Sequence, residues 1–405
     1  MLSLVAAPMV GPEPAPIAGG GAGAVLRAVL AGGPMARSAV GRATGLSPAA
    51  VSRHTSDLIG IGLLRELPPV AGPPRAGRPQ LPLDIDTSRH LALGVHIGVP
   101  WLTFALMDLR GRVVAHERLP RTGDASTVLA TVRAHLPGFT ARRAAGRSLL
   151  GLGVVTGGWV DSERGSVVEN AALGWRDVPL REPLAGALGP SRGRLPVHVD
   201  SHARALAQAE LLFGAAAGAT ELVQLFVGNV VDAAIATGGT VLRGRRSRAG
   251  EIAHLPVRGS TEACPCGRTG CLQATVSERT VARRAHQQGL IARPDIELLS
   301  ALAAAGHPGA VRLFEERLRL VAPAAALLLD MLNPEVLAVN ELGLLLVPGL
   351  AEYFAHQVGV RPEPSQLVTA SAFGREVLAV AACAGVLDAA YRRPMELRTV
   401  RAAAG

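Results

Sequence analysis

The chain has no lysine: all 41 of its basic residues are arginine, set against 32 acidic residues for a net charge of +9. Aromatics are scarce as well. They make up 3% of a sequence that is 49% apolar, so its helices must pack through Ala, Val and Leu. A protein that stacks unpaired bases on aromatic platforms is therefore disfavoured. The arginine excess suits bidentate contacts to phosphate and guanine and keeps duplex DNA as a partner, although charge alone does not establish it. Long apolar runs are also missing: Leu320 to Leu332 is interrupted by Pro323 and Asp330 and falls short of a membrane span. Residues 1–23 have no basic start and are broken by Pro8, Pro12, Pro14 and Pro16, which implies a disordered leader, not a signal peptide, and a cytoplasmic protein. At 405 residues the chain should form two or three domains.

Cysteine is sparing but concentrated. Three of the four lie in Cys264-Pro265-Cys266-Gly267-Arg268-Thr269-Gly270-Cys271, and the fourth, Cys383, sits alone in an apolar helical run. Cys-x-Cys-x4-Cys offers three soft thiolates to one tetrahedral ion, with Gly267 and Gly270 allowing the tight turns. Zinc (Zn2+) is the expected occupant, and His254, the nearest upstream imidazole, the expected fourth ligand. The rival reading is a set of reduced thiols or a disulfide in a secreted protein, which the lone fourth cysteine and the clustering oppose.

The amino-terminal quarter reads as helices. Val25, Leu26, Val29 and Leu30 recur at helical spacing up to the breaker Gly32-Gly33-Pro34, and a weak second helix, Arg37 to Thr44, stops at Gly45. Ser47-Pro48 is a cap followed by a first-turn proline. The helix it opens should bury Val51, Leu58 and Ile59 and turn Ala50, Ser52, Arg53 and His54 outward. Behind it a proline-rich span, Pro68 to Pro82, carries Arg75 and Arg78 like the wing of a winged helix. The order matches a winged helix-turn-helix over residues 24–83, with Ser47, Ala50, Ser52, Arg53 and His54 facing DNA bases or phosphates, and Arg75 and Arg78 facing the backbone or minor groove. A small bundle with a basic linker is the plainer alternative. Ala36, a poor cap, and Gly41 leave the second helix little stability of its own.

From Leu91 onward short apolar segments alternate with helices. Strands are expected at Leu91 to Ile97, Leu102 to Met107, Arg112 to Glu117, Leu149 to Val155, Leu222 to Val227 and Ala233 to Thr237. Helices are expected at Ser126 to Leu136, Ser201 to Phe213, Ser277 to Gln288, Ala310 to Leu332 and Arg375 to Tyr391, which together make an α/β protein of two lobes.

The winged helix, the strands around Gly94 to Asp108, Leu173-Gly174-Trp175-Arg176-Asp177-Val178-Pro179-Leu180, Ala249-Gly250-Glu251-Ile252-Ala253-His254 and the cysteine cluster, in that order, resemble the ROK family of repressors and sugar kinases. The resemblance implies a two-lobed, actin-like (RNase H-like) sugar-kinase fold behind a DNA-binding head, lobes at 84–200 and 201–405, and zinc held by His254, Cys264, Cys266 and Cys271 in a loop spanning 254–271. It also implies where phosphoryl transfer should be encoded. The family's Asp-x-Gly-Gly-Thr turn reads His96-Ile97-Gly98-Val99-Pro100 here, its second glycine turn reads Gly228-Asn229-Val230-Val231-Asp232-Ala233-Ala234, and Asn333-Pro334-Glu335 is followed by Asn340-Glu341 in place of paired glycines. His202 falls where the family places its catalytic base. Phosphoryl transfer needs room for phosphates and a carboxylate to take the hydroxyl proton. The changes at His96, Val99, Pro100 and His202 therefore imply a regulator without kinase activity, more a repressor than an activator, with a DNA operator as partner and a homodimer or homotetramer as its assembly. Of the family's sugar-binding groups Glu251 and His254 persist, His202 and Gln273 replace others, and the cleft either senses a sugar or serves only as a dimerisation body. The rival is an active ATP-dependent sugar kinase with an accessory head.

Overall fold

The computed structural model describes residues 20–68, 81–144, 146–189, 194–359, 367–397 and 400–401. Its head opens with helices α1 (Gly21–Gly32), α2 (Arg37–Thr44) and α3 (Pro48–Gly60). Ser47 caps α3, accepting from the Ala50 N–H at 3.3 Å, and Gly45 ends α2 in the left-handed region at φ 69°. α2 starts uncapped at Ala36. Arg37 secures it instead, donating to Thr55 Oγ1 at 3.2 Å and to Glu66 Oε1 at 2.7 Å. Strands β1 (Leu64–Glu66) and β2 (Leu83–Ile85) pair antiparallel, and the Leu67 N–H donates to the Pro82 carbonyl at 2.8 Å just beyond them. The expected boundaries shift slightly: Ala22, Val25 and Leu26 are buried and draw the start of α1 back to Gly21, and β2 runs on to Ile85. Residues 1–19 of the expected leader lie outside the described residues, as do Arg75 and Arg78.

The first lobe comprises β3 (His90–Ile97), β4 (Trp101–Met107), β5 (Val113–Pro120), α4 (Ala125–Arg143), β6 (Ser148–Thr156), β7 (Trp159–Asp161), β8 (Ser166–Asn170), β9 (Trp175–Pro179), α5 (Arg181–Leu184) and β10 (Val197–Ser201), after which α6 (His202–Phe213) crosses to pack on the second lobe's sheet. Its main sheet runs β10-β6-β3-β4-β5, an antiparallel meander joined to parallel strands, while β7, β8 and β9 form a small sheet beside it. The second lobe repeats the plan. It holds β11 (Leu222–Val227), β12 (Val231–Thr237), β13 (Thr240–Val241), α7 (Leu272–Val276), α8 (Glu278–Gln287), α9 (Ile296–Ala304), α10 (Pro308–Leu332), β14 (Val336–Glu341), α11 (Leu342–Leu346), α12 (Leu350–Val358) and β15 (Leu367–Ala370), with sheet order β13-β12-β11-β14-β15. Two lobes built from one strand pattern are the actin-like arrangement.

The chain then crosses back. Helix α13 (Val377–Arg392) lies on the first sheet and against α6, and β16 (Val400–Arg401) pairs with β6. Gly94 and Gly153, paired neighbours on β3 and β6, make room for it: a Cβ on Gly153 would fall 1.9 Å from the Ala382 carbonyl oxygen, and one on Gly94 2.6 Å from the Ala382 carbonyl carbon. A division of the lobes at residue 200 is therefore corrected in space, because alanine-rich α13 belongs to the first lobe's core although it follows the second lobe in sequence. Its far end also seats the head. Gly23 of α1 sits so close to the Tyr391 and Arg392 carbonyl oxygens that a Cβ would lie 2.8 and 3.0 Å from them. Among the described residues no helix is long and apolar enough to cross a membrane.

Candidate ligand cleft, thiol knot and DNA-facing head

Cys264, Cys266, Cys271 and His254 converge as their spacing implies, with their donor atoms all within 4.8 Å of one another. Backbone bridges Pro256 to Cys271 and Ala263 to Thr269 shape the knuckle, and Gly270 at φ 70° lies so close to the Ser260 carbonyl that no side chain fits. A tetrahedral ion with ~2.3 Å bonds to sulfur would set neighbouring sulfurs ~3.8 Å apart. Cys266 Sγ and Cys271 Sγ are 3.7 Å apart, and Cys264 Sγ is 3.8 Å from His254 Nδ1. The donor set and spacing fit a metal of zinc's preferences. Arg268, bonded to the Cys266 sulfur, pushes that thiol down to about 6, toward the thiolate a metal needs.

The knuckle forms one wall of a cleft also lined by Gly158, Trp159, Glu169, Asp232, Arg248, Glu251, Ala253 and Gln273. Glu251, His254 and Gln273 thus line one cavity. His202 is not at the surface of this cleft. It opens α6, is 4% exposed, and stands behind Asp232, its Nε2 3.5 Å from Asp232 Oδ2 and neither ring nitrogen hydrogen-bonded. Gln273 is partly spent on the fold, its Oε1 accepting from the Val231 N–H at 3.1 Å. Asp232, Trp159, Glu169 and Arg248 join that lining without being evident from the motifs. The signal for Asp232 was a charged residue in an otherwise apolar strand. Asp232 accepts from the Gly158 N–H at 3.3 Å, and Arg248 lies over the Trp159 ring at 4.3 Å with its Nε 4.0 Å from Glu251. Burial, and after it the Asp232 carboxylate, push Glu251 above the usual carboxylate range.

Deeper between the lobes, the space is filled. Phe226 stacks on His202 with ring centroids 3.9 Å apart, and His96 lies 5.8 Å from His202 on a nearly parallel plane. Burial, then His202, hold His96 down at about 3, so it is neutral. Val230 of the second turn sits so close to Gly157 that a Cβ there would be 2.7 Å away. Val99 and Pro100 lie outside this stack at the β3–β4 turn, where the Val99 carbonyl accepts from Arg121 at 2.8 Å. Under the second turn Arg317 and Glu341, both fully buried, form an ion pair, and Arg317 also donates to the Val276 and Val227 carbonyls. Asp200 is not free to act as a base: Arg204 holds one of its oxygens at 2.6 Å and Arg243 the other at 2.8 Å.

On the head, Ser47, Ser52 and Arg53 are exposed on and before α3, and Ala50 is half-buried. His54 departs from expectation. Its ring turns back over α1, where a Cβ on Gly21 would lie 2.5 Å from Nε2, so the imidazole packs the two helices together while staying half-exposed.

A model of the ROK family matches residues 92–358, about two thirds of the chain. The chain belongs to the ROK family. This ROK protein is 34% identical over 333 residues to a transcriptional regulator of Mycobacterium tuberculosis (strain ATCC 25618 / H37Rv), an alignment covering 79% of this chain and 74% of that one. It is 26% identical over 326 residues to the N-acetylglucosamine repressor of Escherichia coli O157:H7, covering 78% and 79%. A crystal structure of a ROK family transcriptional regulator, a homologue of the E. coli MLC protein, superposes with a TM-score of 0.73 at 26% identity and covers 92% of this chain and 96% of that one. A ROK family glucokinase from Streptomyces griseus, in complex with glucose and AMPPNP, superposes at 0.62 with 25% identity and covers 72% and 98%. The glucokinase likeness covers less of this chain than the regulator likeness does. Like the regulators it resembles, this ROK protein is a transcriptional regulator.

Proposed function

We propose that this regulator binds a DNA operator through its head, carries zinc in the thiol knot, responds to a sugar-type ligand in the cleft, and has lost phosphoryl transfer. The observation that carries the last point is the filled interlobe space. A kinase must admit the phosphates of a nucleotide and present a free carboxylate to the acceptor hydroxyl. Here the Phe226, His202 and His96 rings occupy that space, Arg317 and Glu341 fill the floor beneath the second turn, and Asp200 is held by two arginines.

The four knot residues would hold zinc, whose chemistry there is structural: it ties the 254–271 loop into one piece. His254 links the knot to the cleft, because its Nδ1 faces the thiols while its ring lines the cavity beside Glu251. A ligand hydrogen-bonded to Glu251 and to Asp232 would touch both the loop and β12 and could favour one lobe angle over another. It regulates only if it binds the two angles with different affinity. The lobe angle reaches DNA through α13, which spans the first sheet and ends under α1. On DNA, Ser52 and Arg53 would meet base edges and Ser47 a phosphate, with the region of Arg75 and Arg78 adding backbone contacts. A homodimer or homotetramer acting in the cytoplasm as a repressor accommodates two half-sites.

The kinase reading is tested beside it. Fluorescence anisotropy on DNA upstream of the protein's own gene should report specific binding, relieved or strengthened by a hexose-type ligand, while an ATP-consumption assay across hexoses should stay at background. Hexose-dependent ATP turnover that is lost in Asp200→Asn would overturn the reading.

A further inference from the structure

The cleft is acidic. Three carboxylates reach it, from Glu169, Asp232 and Glu251, against one guanidinium, from Arg248. Glu169 is neutralised outside by Arg176 at 2.7 Å. Arg248 is committed to the Trp159 ring and to the edge of Glu251. Asp232 is left with little. It is 7% exposed, and among the described residues no arginine reaches it; its polar contacts are the Gly158 N–H at 3.3 Å and the His202 ring at 3.5 Å. His202, which backs Asp232, is itself 4% exposed and makes no hydrogen bond through either ring nitrogen, so it does little to satisfy the carboxylate. A buried carboxylate short of hydrogen bonds is costly unless something supplies donors and charge.

We propose that the cleft is built for a polyhydroxylated ligand bearing a protonated amine, an unacylated amino sugar, with its ammonium seated between Asp232 and Glu251. This rests on the sugar-sensing reading above and narrows it. An ammonium brings three donors and one positive charge to two carboxylates that otherwise repel each other. A neutral or N-acylated sugar supplies donors without the charge, and an anionic sugar adds repulsion. A bare metal ion suits the place poorly: among the described residues the group of His, Cys, Asp and Glu compact enough to hold one is the thiol knot. Asp232 stands in the turn where the resemblance expects glycine, so a carboxylate takes the place of bare backbone at this wall of the cleft.

The test is calorimetry on the full chain in phosphate buffer, because Tris is itself an amino polyol. The probes are glucosamine, galactosamine and mannosamine, each beside its parent hexose and its N-acetyl derivative. At least one amine should bind about tenfold or more tightly than its two neutral counterparts, as a charge-assisted contact implies. Asp232→Asn should remove about tenfold or more of that affinity and shrink the amine's advantage over its parent hexose toward parity. Glu251→Gln serves the same purpose if the first variant lowers the thermal midpoint. A neutral sugar that binds as well as its amine, or an amine affinity unmoved by both variants, would sink this inference and leave sugar sensing standing. Failure of all nine sugars to bind would overturn both.

Discussion

The Arg317–Glu341 pair offers the sharpest test of how the second lobe is held. Both side chains are 0% exposed; Arg317 donates to Glu341 and to the Val276 and Val227 carbonyls, and Glu341 Oε2 accepts from the Leu344 N–H at the start of α11. Glu341→Ala removes the counter-charge of a guanidinium that cannot reach water. Breaking a buried pair from one side costs roughly 3–5 kcal/mol, and the lost cap adds about 1 kcal/mol. Glu341→Gln keeps an acceptor for Leu344 and should cost about half as much. Replacing both partners, with Arg317→Met and Glu341→Leu, should cost clearly less than the two single changes added together, because no lone charge remains. The assay is urea unfolding followed by far-UV circular dichroism. Tryptophan emission serves as a control, since Trp101, Trp159 and Trp175 all lie in the first lobe. A loss below about 1 kcal/mol in Glu341→Ala would refute the reasoning, since it would mean the guanidinium finds water or another anion.

Three further outcomes follow from other sites. Arg53→Ala should weaken operator binding selectively against nonspecific DNA, by about 1–3 kcal/mol in anisotropy titrations, while His54→Ala should act mainly by lowering the head's thermal stability. Metal analysis of purified protein should find about one zinc per chain, and Cys271→Ser should lower both metal content and the thermal midpoint. His96 is held at about 3 in the folded chain, chiefly by burial, against an unfolded value near ~6.5. Its folded pKa is depressed, so the unfolded chain takes up a proton that the folded chain refuses. Stability should fall as pH drops below ~6.5, by at most ~1.4 kcal/mol per pH unit, and His96→Asn should flatten that limb in a pH series of thermal midpoints without abolishing it, since His198 is depressed by burial too.

Local signals were legible where they were complete in themselves. The thiol spacing with its two glycines, the Ser47-Pro48 cap and the Gly45 stop each encode their own geometry, and strand Leu222–Val227 is found with the expected ends. Positions that depend on distant partners were not legible. Nothing near His54 announces that it will cover Gly21, and nothing near His202 that Phe226 will stack on it and Asp232 will stand between it and the cleft. Helix α4 was expected to stop at Leu136, but it continues through Pro137 to Arg143 because Phe139 and Thr140 are buried behind the first sheet. The placement of α13 was hidden for the same reason: its fit to Gly94 and Gly153 is a contact between residues more than two hundred positions apart.

The berth for the head is made by the end of α13, so its parts leave the ribosome in the wrong order for early assembly. The three helices can fold soon after they emerge, but the carbonyl ledge at Tyr391 and Arg392 that receives Gly23 is synthesised only after both lobes. A half-made chain could thus carry a folded reading head with no body attached to orient it, and the orientation that a ligand could govern would come into being only with the last helix.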